Sequence, residues 1–142
     1  MQPPSVDEFL QVSRVALGYL RSYGFDEVPS PRHRASNRFQ IWFRAGDRFV
    51  IVTGDGYGAS ASLTLEHSSD VAASQIDLIP QNERPEPYRR RRTRPSTQLE
   101  QIQTQAASLH QYGADFLNGD LEHFFKVAKQ IPGYLRESRS EG

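Results

Sequence analysis

The groups in this chain that could do chemistry are few and scattered. Gly54, Gly56 and Gly58 alternate with Asp55 and Tyr57 in a loop of the kind that can cradle a phosphate. A dinucleotide fingerprint, however, ends a strand and opens a helix whose N-terminus holds the pyrophosphate, whereas this loop joins two strand-like segments. No Gly-Lys-Ser/Thr tail follows it, and the chain is too short for a protein kinase. The glycines read as those of a hairpin turn, where positive φ is needed. His33, His67, His110 and His123 share no metal-ligand spacing, and no two fall four apart. Glu66-His67 and Glu122-His123 are adjacent pairs whose side chains diverge in regular structure. There is no Gly-x-Ser-x-Gly elbow and no cysteine, which excludes disulfides, thiolate metal sites and thiol nucleophiles. No catalytic residue, metal or cofactor is expected. A small hydrolase or transferase assembled from distant groups stays open as an alternative.

Tyr88, followed by Arg89, Arg90, Arg91 and Arg92, with Arg94 just beyond, forms the one sharply biased segment. Its arginines could grip phosphates while Tyr88 stacks on a base, or they could meet an acidic protein partner. They could equally form a solvated loop offset by Glu83, Glu86 and Glu100. Seventeen basic and seventeen acidic residues cancel over the whole chain, which favours the solvated loop and weighs against a general nucleic-acid binder. Trp42 falls on the strand face shared by Gln40 and Arg44. It would anchor an interface if that face is open and join the core if the face is covered. Tryptophan is highly buried on average, which favours the core.

The elements that must position these groups follow from periodicity. With 142 residues the chain has the length of one domain, able to fold without a staple. Ser5 and Glu8 form a capping box, and Val6, Phe9, Leu10, Leu17 and Leu20 recur at helical spacing, which predicts a helix over 6–23 stopped at Gly24. Residues 29–37 read as a linker. The period then falls to two over 38–44 and 59–67, while 49–53 is apolar on both faces, as a central strand would be, with turns at Ala45-Gly46-Asp47 and at 53–58. In the third of these strands Ala61, Leu63 and Leu65 should be buried, and Ser60, Ser62, Thr64 and Glu66 wet. Ile76, Leu78 and Ile79 suggest a fourth strand, and 80–95 a long Pro/Arg-rich loop. From Ser96 or Thr97 a helical stripe runs through Leu99, Ile102, Ala106, Leu109, Phe116 and Leu117 to Asn118-Gly119. Asp120 should cap a further short helix, and 133–142 is polar and expected to fray. The fold class expected is α+β, one domain over 1–142: an antiparallel meander of three to four strands packed against an N-terminal helix and a C-terminal helical segment. The N-terminus lacks the basic start and apolar run of a signal peptide, and no apolar stretch is long enough for a bilayer. The expected compartment is therefore the cytoplasm, with no membrane partner.

The phrases Tyr23-Gly24-Phe25, Phe39-Gln40-Ile41-Trp42-Phe43, Asp55-Gly56-Tyr57-Gly58-Ala59 and Tyr112-Gly113-Ala114-Asp115-Phe116-Leu117-Asn118-Gly119-Asp120 occur in that order. Together they resemble a class of small bacterial proteins grouped with the immunity proteins of polymorphic toxin systems, in which the helix-ending phrase is similar to Tyr-x-x-Asp-Leu-Leu-x-Gly-Asp. The likeness covers most of the chain in outline, and the last phrase is its specific part. It implies a non-enzymatic protein that binds and blocks one toxin. No motif marks the contact residues. Those singled out, besides Trp42, are Asp47, Asp55 and Tyr57 on hairpin turns, Glu66 on the wet strand face, and Tyr88 with Arg89 to Arg92, because turns and open faces display contacts on a rigid scaffold. Nucleic acid bound through Tyr88 and Arg89 to Arg94 is the other partner considered.

Overall fold

The computed structural model describes residues 5–29, 39–55, 60–68, 71–80 and 97–130. Helix α1 spans Val6–Ala16 and opens on the expected capping box: Glu8 N–H donates to Ser5 Oγ at 3.1 Å, and Ser5 N–H to Glu8 Oε1 at 2.9 Å. It does not run on to Tyr23 as the spacing predicted. Beyond Leu17 the chain tightens into a 3-10 helix, Gly18–Tyr23. In that geometry residues three apart eclipse one another, so Leu17 and Leu20 both point inward, each 1 % exposed.

Five strands follow: β1 (Asp26–Val28), β2 (Gln40–Ala45), β3 (Arg48–Asp55), β4 (Ser60–His67) and β5 (Val71–Ser74). They form one sheet in the order β1-β2-β3-β4-β5, every neighbour antiparallel. The expected meander is its centre, and the sheet has one strand more than the upper expectation. Gly46, at φ 62, makes the tight β2–β3 turn that a residue with a side chain adopts only with strain. The strand expected around Ile76 lies earlier, at Val71–Ser74. Residues Gln75–Leu78 are a second 3-10 helix instead, because Ser74 and Asp77 form their own capping box. Helices α2 (Gln98–Tyr112), α3 (Ala114–Asn118) and α4 (Glu122–Ala128) complete the described fold. Thr97 caps α2, and the continuous stripe expected up to Asn118 is broken at Gly113. No helix among the described residues is long and apolar enough to cross a membrane.

The register sorts the sheet into rows. Phe43, Val50, Leu65 and Ala73 form one row and Ile41, Val52 and Leu63 another, all on the side covered by the helices. Phe9, Leu17, Ile102, Leu109, Phe116 and Phe124 close over them in a single cluster. Gly54 lies under this layer because a Cβ there would come within 2.5 Å of Gln98 Nε2 and 3.1 Å of Phe9 Cε1. On the opposite side run the rows Asp26–Arg44–Phe49–Glu66–Ala72 and Val28–Trp42–Ile51–Thr64–Ser74.

Both sheet edges are protected. β1 is three residues long, begins Asp26-Glu27 and is followed by Pro29, features that discourage another strand from pairing. β5 pairs only with Thr64 to His67 of β4, so among the described residues no strand pairs with the earlier part of β4 on that side. Glutamines of α2 take its place. Gln101 Oε1 accepts from Ala61 N–H at 3.1 Å, and Gln105 accepts from Leu63 N–H at 2.9 Å. Gln105 Nε2 donates to Ala61 O at 2.7 Å, and Gln98 Nε2 to Ser60 O at 2.9 Å. The three glutamines, spaced i, i+3 and i+7, share one helix face and are almost fully buried.

Candidate functional site

Of the residues singled out for partner contact, Asp47 is the one that the structure displays clearly. It sits in the tight turn between β2 and β3, with its side chain 57 % exposed. The carboxylate is held by His67, whose Nε2 lies 3.0 Å from Asp47 Oδ2, and the backbone of the turn is held separately, Ser68 N–H donating to the Asp47 backbone carbonyl at 2.9 Å. His67 is fixed in turn. It pairs with Arg48 across β3–β4, its side chain is 14 % exposed, and its ring stands edge-on to Phe125 of α4 at 5.2 Å. The hairpin tip also carries Arg44. This exposed guanidinium lies 5.6 Å over the Phe49 ring and donates from Nε to Gly46 O at 2.7 Å. Two opposite charges therefore stand on one turn, each oriented by its own contacts.

The other expected residues do not join this tip. Trp42 is 4 % exposed; its Nε1 donates to Gln40 Oε1 at 2.9 Å and its ring meets Phe49 edge-on at 5.7 Å. It is buried, as is usual for tryptophan, although its side of the sheet is the one away from the helices, so it does not offer the open anchor expected of a contact residue. Glu66 is 9 % exposed, and Ser60, Ser62 and Thr64 are half-buried, so the face expected to be wet is not. Alternation identified the two faces of β4. It could not show that Trp42, Phe49 and Ile51, brought alongside by the register, make the second face another packed layer. Asp55 ends β3, opposite Ser60. The eight residues of β3 put it about 25 Å from Asp47, so the two acids lie at opposite ends of the sheet. Tyr57, Tyr88 and Arg89 to Arg92 lie outside the described residues, as do 81–95 and 133–142.

The histidines divide likewise. His110 stacks on Tyr19 with ring centroids 4.1 Å apart, and His123 Nε2 is 3.4 Å from Leu78 O. Tyr19 donates to Ala106 O at 2.6 Å, and burial, with Tyr23 beside it, pushes its hydroxyl well above the usual phenol range. It stays protonated and works as a brace between the first 3-10 helix and α2. Among the described residues no three His, Asp or Glu side chains gather where a metal could be held.

His67 and Arg44 stand at this candidate site although the sequence reading did not single them out as contacts. The signal for His67 was faint but present: pairing the 49–53 and 59–67 strands through a short turn brings His67 beside Arg48, and so next to Asp47. The unknown turn length concealed it. No family model, curated protein or solved structure matches this chain.

Proposed function

We propose that the chain is a non-enzymatic protein-binding module that neutralises a cognate bacterial toxin in the cytoplasm, with the β2–β3 tip as part of its contact surface. The observation that carries this reading is the order of exposure in the Asp47–His67 pair. In a proton-transferring His–Asp pair the carboxylate is buried and orients the imidazole, which faces the substrate. Here the order is inverted: the carboxylate is 57 % exposed and the imidazole, at 14 %, is packed on Phe125. Asp47 is the displayed group and His67 its support. A charge already held in one geometry loses little freedom on binding, which suits it to a protein interface. The resemblance read from the sequence supplies the class of partner.

The test is to co-express the chain with a toxin encoded beside it and to measure survival, then the affinity of the purified pair. Protection is expected, with Asp47→Ala raising Kd about 10-fold or more, as loss of a central charged contact does. Cells that die whether or not the chain is present would overturn the toxin reading. Unchanged affinity in the Asp47 variant would remove the hairpin from the interface while leaving the binding function in place.

A further inference from the structure

We propose that the cleft where α1 and the first 3-10 helix meet β1 is a binding site for a small monocarboxylate with a compact apolar body. The cleft has a volume of about 190 Å³; Leu20, Phe25 and Phe43 line it together with Arg14, Arg21 and Glu27. Gly18 also lines it, and is the residue that most needs a reason. It lies in a helical segment and has no positive φ, and a Cβ built on it meets nothing within 4 Å. Neither backbone nor packing calls for glycine here, and alanine would be the better helix former. What glycine does is leave the cleft open, since a side chain at this position would take up its volume.

Charge decides the ligand class. Arg14 Nε and Nη2 each donate to a different oxygen of Glu27, both at 2.9 Å. This fork holds the Glu27 carboxyl below the ordinary range and raises Arg14, so the pair is a fixed, neutral rim. The Arg21 guanidinium has no hydrogen-bond or ion-pair partner among the described residues. Two guanidinium groups against one carboxylate leave the cleft with a single positive charge, and it belongs to Arg21. A ligand with one negative charge satisfies it, while a second would find no unpaired cation in the cleft. Size agrees: a cavity of roughly 150 Å³ takes up benzene, so the volume of this cleft is enough for a six-membered ring, with Arg21 on its lining for the carboxylate.

The probe is benzoate, titrated into the full chain and followed by amide chemical shifts, with neutral benzyl alcohol and doubly charged phthalate as comparisons. Saturable shifts are expected at Gly18, Arg21 and Phe25 with benzoate, and about 10-fold weaker binding of benzyl alcohol, which lacks the charge-assisted bond. Arg21→Gln should weaken benzoate by about the same factor, and Gly18→Leu should abolish binding by filling the cleft. Arg21 is exposed, so its variant folds and decides the matter even if Gly18→Leu does not. No saturable shift with benzoate, or equal affinity in Arg21→Gln, overturns the proposal. Neither outcome depends on the toxin reading.

Discussion

Replacing Gln105 by alanine tests the idea that α2 stands in for a missing strand. The side chain is 3 % exposed and makes two bonds to the β4 backbone, accepting from Leu63 N–H at 2.9 Å and donating to Ala61 O at 2.7 Å. Truncation leaves one buried amide and one buried carbonyl without partners, each costing about 1–3 kcal/mol, and adds a small cavity. Alanine returns a few tenths of a kcal/mol in helix propensity. The net loss should be about 3 kcal/mol, a fall in Tm on the order of 10 °C for a chain of this length. Gln105→Glu should cost at least as much, because it keeps the acceptor, loses the donor and sets a charge against Ala61 O. The control lies on the same helix: Gln103 is exposed, and Gln103→Ala should stay within about 0.5 kcal/mol. Urea unfolding of the three variants gives the answer. If Gln105→Ala and Gln103→Ala unfold at the same midpoint, the glutamines do not hold the edge and the reasoning fails.

Arg48 joins β3 to the end of α3, donating from Nη1 to Phe116 O at 2.9 Å and to Leu117 O, with its guanidinium 5.1 Å over the Phe25 ring. Arg48→Met should lower stability by about 2 kcal/mol, with Arg48→Lys recovering only part of it, because an ammonium lacks the planar fork; denaturant midpoints that do not move would disprove this. The Arg14–Glu27 pair predicts a pH effect of defined sign. Because the Glu27 carboxyl is held below its ordinary range, its contribution is complete above the unfolded carboxylate range, near 4, and is lost as pH falls through the depressed folded value. Both side chains are more than a third exposed, so the effect should stay under about 1 kcal/mol. Unfolding measured from pH 6 to 2 should show this slope in the native chain and a shallower one in Glu27→Gln.

Much of the fold could be read from residue pattern, and what escaped has physical causes. β2 and β4 announced themselves by alternation, β3 by its continuous apolar run, and the Ser5–Glu8 cap by its spacing, while of Ser96 and Thr97 the structure makes Thr97 the cap of α2. β1 did not, since Asp26-Glu27-Val28 has no apolar alternation and is a strand because β2 supplies its partners. β5 is mostly alanine and serine, a weak strand former whose conformation is imposed by pairing with β4. Ile76, Leu78 and Ile79 were rightly read as apolar but not as strand, because burial can be met by a 3-10 turn as well. The glutamines of α2 are the sharpest case. Periodicity places polar residues on the face away from the core, yet Gln98, Gln101 and Gln105 are inside because a backbone edge needs their amides.

The same distinction governs the candidate site. A residue's type says what bonds it can make, and only the register says which neighbour will hold it. Asp47 looked like one of several acids on turns, equal to Asp55 at the far end of β3. The pairing of Arg48 with His67 separates the two, since it brings a packed imidazole to Asp47. That imidazole is carried by β4 and backed by Phe125 on α4, so the orientation of the carboxylate depends on the sheet and the last described helix together. A group positioned by elements so far apart in sequence keeps its geometry only while the whole fold is intact. Under the function proposed above, Phe125→Ala should therefore raise the Kd of the purified pair through Asp47 without touching the partner.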